Sequence, residues 1–164
     1  MKRAHLLILL ALAAAFALLP ALWTVWKNER ILSEGKIVLL KLAPVAPRSL
    51  MQGDYMALSF AIDRALTDEA PYVWLTLDPQ GRADFLQQTD ITEPPRAKPD
   101  MLVLRLRKAK GSFAIAPNGF FFQEGAGDRF TAAEWGEFRV APNGKALLTH
   151  LRDDKLERLG ENLR

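Results

Sequence analysis

Three charged side chains stand where chemistry could be done: Arg48, Asp54 and Glu124. Arg48 and Asp54 belong to one corner, 47–60, in which Pro47, Gly53 and Tyr55 crowd a single turn. A guanidinium recognises a carboxylate bidentately, and an aspartate can orient it. The pair would therefore either bond to each other or jointly clamp a carboxylate or an amine. Glu124 follows Phe120-Phe121-Phe122-Gln123 and precedes Gly125. Convergence of Asp54 and Glu124 would make an acid/base pair or a hard-cation site. Every one of these residues also has an architectural use, and that use is the stronger expectation. Gly53 supplies an unusual φ, Asp54 accepts from nearby amides, and Tyr55 packs as a half-buried aromatic. Gln123, Glu124 and Gly125 would then satisfy backbone groups at a strand end.

No further set of reactive groups is visible. The chain has no cysteine, which removes a disulfide framework, a thiolate nucleophile and a Cys-based zinc site. Its two histidines are His5, inside an apolar run, and His150, near the end. Neither forms a Ser-His-Asp constellation with a recognisable motif, and His150 is expected at a strand surface or edge. There is no P-loop, no Gly-rich dinucleotide fingerprint and no His-based metal spacing, so no cofactor or metal is expected.

The elements that must position the corner are mostly strands. Lys36-Ile37-Val38-Leu39-Leu40-Lys41-Leu42 reads as a well-buried strand stopped by Pro44 and Pro47. Positions 54–63 alternate, with Met56, Leu58, Phe60 and Ile62 on one face, which predicts one long strand into the core. Tyr72-Val73-Trp74-Leu75-Thr76-Leu77 predicts another, turned by Asp78-Pro79-Gln80-Gly81 into a return strand over 82–86. Three prolines make 93–99 a surface loop, and 101–107 alternates with Arg105 and Arg107 outward. Ala116-Pro117-Asn118-Gly119 and Ala141-Pro142-Asn143-Gly144 predict two hairpins, joining strands at 113–115 and 120–123 and at 137–140 and 145–150. A short helix is expected to open at Thr131 with Glu134 in the capping-box position, and a helical turn over 154–159. Many short strands with punctuating turns predict a mainly β fold, an antiparallel small barrel or sandwich.

Ahead of this lies 4–26, AHLLILLALAAAFALLPALWTVW, with no Asp, Glu, Lys or Arg. At about 1.5 Å per residue it reaches roughly 35 Å, enough for a bilayer core of about 30 Å. Trp23 and Trp26 suit an interface, and Lys2 and Arg3 favour a cytoplasmic N-terminus, against which Lys27 and Arg30 act. Ala15-Phe16-Ala17 resembles a signal-peptide cleavage site, but the apolar run continues well past it, beyond the usual 7–15 residues or so. The expected organisation is a cytoplasmic tail over 1–3, a transmembrane signal-anchor helix over 4–26 and a polar juxtamembrane segment over 27–35. A periplasmic β-rich domain over 36–164 completes it.

Composition bounds the partners. With 49% hydrophobic and 25% charged residues the 164-residue chain is not disordered. Of 22 Lys and Arg, Lys2 and Arg3 precede the apolar run, leaving 20 against 19 Asp and Glu, so nothing in the charge points to nucleic acid.

Gly53-Asp54-Tyr55-Met56-Ala57-Leu58-Ser59-Phe60 resembles the signature of the bacterial GDYXXLXY family. The preceding Pro44-Val45-Ala46-Pro47-Arg48-Ser49-Leu50-Met51-Gln52 resembles that family's lead-in. Phe120-Phe121-Phe122-Gln123-Glu124-Gly125, with Glu134-Trp135-Gly136-Glu137-Phe138-Arg139-Val140, resembles its second block. Phe60 departs from the family Tyr and Ala46 from an expected Asp, which removes a phenol and a carboxylate from the corner. The resemblance implies an N-terminal anchor in the bacterial inner membrane, a periplasmic domain, and companionship with a polytopic membrane protein. The residues also bear an outline similarity to type I signal peptidases. Val45 and Ala46 stand where the Ser-Met pair would precede Pro47, and Ser49 is misplaced, so the nucleophile is missing. Two functions are carried forward. One is a membrane-anchored periplasmic interaction or accessory protein that docks an integral membrane partner through 47–55. The alternative is a periplasmic hydrolase or small-ligand protein using Arg48, Asp54 and Glu124.

Overall fold

Gly35 marks where the chain changes period from helix to strand. The computed structural model describes residues 2–44, 51–52, 55–90, 100–109 and 111–163; the side chains of 2–4, 6, 8, 11, 14, 15, 17, 51, 52 and 109 lie outside that set. The chain divides into two compact units, Met1–Glu34 and Gly35–Arg164.

The first unit is one helix, α1, Lys2–Glu34, 33 residues with Pro20 inside. Thr24 Oγ1 donates to the Pro20 carbonyl at 2.8 Å, and Arg30 pairs with Glu34 at 2.8 Å in the last turn. Apolar run and polar exit are thus one continuous element. Among the described residues no helix is long and apolar enough to cross a membrane. The uninterrupted stretch of described side chains, 18–34, holds Lys27, Glu29, Arg30 and Glu34.

The second unit is mainly β. Its strands in chain order are β1 Lys36–Lys41, β2 Met51–Gln52, β3 Tyr55–Ala57, β4 Tyr72–Leu77, β5 Ala83–Thr89 and β6 Met101–Arg105. There follow β7 Arg107–Ala109, β8 Ser112–Ala114, β9 Gly119–Phe121, β10 Trp135–Val140, β11 Ala146–Arg152 and β12 Arg158–Glu161. They form antiparallel sheets ordered β1-β10-β11-β12, β2-β3-β9, β5-β4-β6 and β7-β8. Val38, Leu40, Phe60, Leu75, Leu104, Phe120, Phe138 and Leu148 come from three of these sheets and their connections into one core, each fully buried or nearly so. Phe60 meets Phe138 edge-on at 5.3 Å, and an added Cβ on Gly136 would stand 3.0 Å from the Phe60 ring, so this crossing needs glycine.

Among the described residues no sheet closes into a barrel. The sheets meet instead through isolated links, among them the bridges of Leu39 with Arg82 and Leu42 with Phe60, which carry no continuous ladder around the core. Turn chemistry explains the elements that match their sequence patterns. Asp78 Oδ1 accepts from the Gln80 and Arg82 amides at 2.8 Å, and Gly81 takes φ 82°, which turns β4 into β5. At the β10–β11 hairpin, Gly144 takes φ 80° and its carbonyl accepts from the Arg105 amide at 2.8 Å.

Four expectations are corrected. The strand over 54–63 stops early: only β3 is laddered, and Ala61–Ala65 is a 3-10 turn. Asp63 causes this, because Oδ2 accepts from the Phe60 amide at 2.8 Å and Oδ1 from the Ile115 amide at 3.1 Å, capturing donors that a strand would have spent on a neighbour. The Met56, Leu58, Phe60 alternation in burial nevertheless persists. Residues 116–119 do not make a hairpin, since β8 pairs with β7 and β9 with β3. Thr131 ends a 3-10 turn, Gly127–Phe130, rather than opening a helix. Residues 154–159 hold a turn and the start of β12, with Leu156 at φ 66°. The proline loop over 93–99 lies outside the described residues.

Candidate functional site

The two motif blocks meet in the β2-β3-β9 sheet. Tyr55 stands opposite Phe121, Met56 opposite Phe120 and Ala57 opposite Gly119. Period-two alternation then splits the blocks between faces. Inward, Met56 and Phe120 are buried; Phe120 packs on Phe130 at 4.9 Å, and Phe122 reaches Phe130 at 5.3 Å. Leu58 is buried and held by its amide on the Asn118 carbonyl at 2.7 Å. Outward, Tyr55 and Phe121 are 41% and 48% exposed, with ring centroids 5.8 Å apart and planes tilted 33°. That separation is the ordinary contact distance of an aromatic pair, so the two rings form one ledge.

The ledge is clamped from the far end of the chain. Buried Asn162 accepts from the Phe121 amide through Oδ1 at 2.8 Å, and its Nδ2 donates to the carbonyls of Leu148 at 3.2 Å and Gly119 at 3.4 Å. Its own amide bonds to the Thr149 carbonyl at 2.7 Å, and the Leu163 amide to the Phe121 carbonyl at 2.9 Å. Every polar group of one side chain is used to fix β9 against β11.

Of the sequence-predicted site residues, Tyr55, Leu58 and Phe122 are brought together in this sheet and its continuation. Gln123, Glu124 and Gly125 form an exposed turn, with Gly125 at φ 80° and the Ala126 amide on the Gln123 carbonyl at 3.0 Å. Glu124 therefore lies on an exposed turn. Pro47, Arg48, Gly53 and Asp54 lie outside the described residues, and so does any convergence of Arg48 and Asp54 with Glu124. A cleft of about 420 Å³ beside Lys36, Leu77 and Asp100 also touches Asp78, whose carboxylate is committed to its own turn and to Arg82. Among the described residues no group of three or more His, Asp or Glu is placed to hold a metal ion.

A second constellation escaped the sequence reading. Glu137 on β10 is fully buried. Arg158 grips it with Nη2 on Oε1 at 2.8 Å and Nε on Oε2 at 3.1 Å. Arg152 adds Nε on Oε2 at 2.7 Å and gives Nη1 to the Leu156 carbonyl at 2.6 Å. Burial pushes the Glu137 carboxyl up; the hydrogen bonds and charges of the two arginines outweigh it and hold the group below its ordinary value. His150 stands across the strand from Glu137, its Nδ1 3.7 Å from Oε1, buried and without a hydrogen-bond partner. Burial lowers the imidazole pKa, and the pull of Glu137 only partly offsets this. The available signal was a lone acid between Gly136 and Phe138 in an otherwise core-forming strand, with arginines at 152 and 158.

The comparisons bear on the motif sheet. No curated protein and no solved structure matches the chain. A family model described as GDYXXLXY protein matches residues 17–151, most of the length and both blocks that meet at the ledge. The chain belongs to the GDYXXLXY family.

Proposed function

We propose that the protein is a membrane-anchored accessory protein whose β unit docks an integral membrane partner through Tyr55 and Phe121. The observation that carries this is the pairing of the two family blocks so that each presents one aromatic ring to solvent while its neighbours fill the core. A core needs Met56 and Phe120; it does not need two large rings side by side outside it. Paired exposed rings with a polar tip on Tyr55 suit a partner that buries their flanks and bonds the hydroxyl. The uncharged run 4–26 supports an anchor in the bacterial inner membrane, with the short basic N-terminus in the cytoplasm and the β unit in the periplasm. The alternative, a hydrolase or small-ligand protein built on Arg48, Asp54 and Glu124, has no comparable observation behind it.

Photocrosslinking from position 123, exposed two residues past Phe121, in intact membranes tests the docking surface. A discrete adduct with one membrane protein is expected, lost in Tyr55→Ala/Phe121→Ala and kept when the unrelated exposed Leu86 is changed to Ala. An adduct pattern indifferent to both rings ends the proposal. For the anchor, carbonate washing should leave the chain in the membrane pellet, and protease added to spheroplasts should digest the β unit. Release by carbonate would remove that part.

A further inference from the structure

We infer that His150 is a proton-operated latch: proton uptake at its buried Nδ1 loosens Arg158 from Glu137, frees β12, and with it releases the Asn162 clamp on β9. Its consequence for docking rests on the reading of Tyr55 and Phe121 as the contact ledge; the latch itself does not.

The geometry begins with β12, which does two jobs within a few residues. Arg158 at its start ties into Glu137, and Asn162 and Leu163 just past its end hold Phe121. Between these ends the strand is only four residues long, and its register with β11 shifts at Leu151/Arg152. Side chains therefore decide whether it stays docked.

His150 sits at the centre of that arrangement, cross-strand partner of both Glu137 on β10 and Glu161 on β12. Arg152 on its own strand and Arg158 on β12 complete the charged groups around it. At 3.7 Å from Oε1, Nδ1 is too far to share a hydrogen bond, so the neutral ring contributes no tie. A protonated ring would be a third cation beside a single buried carboxylate, and its new N–H would be directed at Oε1, the oxygen that Arg158 Nη2 holds at 2.8 Å. Arg158 is the partner that gives way, because its side chain is 47% exposed against 19% for Arg152, and water can solvate it on leaving. Burial of the imidazole favours its neutral form in the docked state, which gives the coupling its sign. Glu161 attracts the proton and offsets part of this, but burial is the larger effect, so the latch opens on the acid side of the ordinary imidazole value.

Amide hydrogen exchange on the full chain in detergent micelles tests the latch, with the His150 imidazole titration followed by NMR. The amides of Phe121 and Leu163 report on the clamp, and that of Val73 in β4 corrects for the intrinsic pH dependence of exchange. Between about pH 8 and about pH 5, on either side of the usual imidazole value of about 6.5 and above the usual carboxylate range, protection of Phe121 and Leu163 relative to Val73 should fall severalfold. The fall should persist in His5→Gln and vanish in His150→Gln. An equal fall in His150→Gln, or none in the parent chain, overturns the inference. Should His150→Gln not fold, Glu161→Gln serves: it should move the midpoint of the fall to lower pH, and an unmoved midpoint is equally fatal. Because exchange is read without a partner, its outcome is independent of whether the ledge captures one.

Discussion

The aromatic ledge and the Glu137 cluster are opposite solutions on neighbouring sheets. One leaves two aromatic rings half exposed; the other places a carboxylate out of contact with bulk solvent. In the ledge, exposure costs little, since a half-exposed aromatic pair still covers its own flanks. In the cluster, burial is tolerable only because both oxygens are occupied by two guanidiniums. The contrast teaches where to look for function in this fold. Features that stability does not require are the ones to test for partners, as proposed for the ledge. Glu137 is bound up in holding β10, β11 and β12 together, and only the unpartnered nitrogen of His150 gives that region anything to respond with.

Substitutions can break this contrast. The largest effect is expected for Glu137→Ala, which leaves Arg152 without its carboxylate in a mostly buried site while the more exposed Arg158 can turn to water, and should cost about 3 kcal/mol in urea denaturation; a cost near that of a surface mutation would show that the cluster is ornamental. The same region sets the response to acid. Glu137, held below its ordinary value, stabilises the fold above the unfolded carboxylate value of about 4.3, and that contribution is lost as pH falls through the folded value. His150 acts in the same direction over a higher range. Its folded value is lowered, so its contribution is complete above about 6.5 and is lost as pH falls toward the folded value. Urea midpoints should therefore decline steadily from about pH 7 to about pH 4, and a midpoint that rises on acidification would reverse the assignment.

Phe60→Tyr comes next. It restores the family residue but puts a hydroxyl into a fully buried site between Phe138 and Gly136, at a cost of about 1–3 kcal/mol unless the core opens to hydrate it. Tyr55→Ala/Phe121→Ala should cost only about 1 kcal/mol in the same assay while abolishing the crosslink; unfolding by several kcal/mol would make the ledge a structural element. The smallest effect is at Leu156, whose φ of 66° strains a branched side chain, so Leu156→Gly should gain up to about 1 kcal/mol in thermal unfolding.

Legibility in the sequence followed how local the cause was. β1 and β4 were readable because unbroken β-forming runs need no knowledge of their neighbours. The turns at 78–81 and 141–144 were readable because Asp, Pro, Asn and Gly act within four residues. Meeting of the two blocks was left conditional by the sequence, since the pairing of β3 with β9 is long-range and follows from no local periodicity. What stayed hidden was set at a distance. Asp63 ends its strand by reaching Ile115, 52 residues away, and Asn162 reaches Phe121, 41 residues away. Glu137 read only as the first residue of a hairpin strand, because its partners Arg152 and Arg158 lie 15 and 21 residues further on.

Pairing of β1 with β10 has a consequence for synthesis. Lys36 stands opposite Val140, so the first strand finds its neighbour only after about 100 further residues have been made. Until Arg82 is made, Ile37-Val38-Leu39-Leu40 is an apolar strand with both edges open, and until β10 follows one edge stays open along its whole length. Folding of this unit cannot proceed vectorially, and the nascent chain carries an aggregation-prone edge for most of its elongation. That segment is therefore where mispairing of the growing chain would begin.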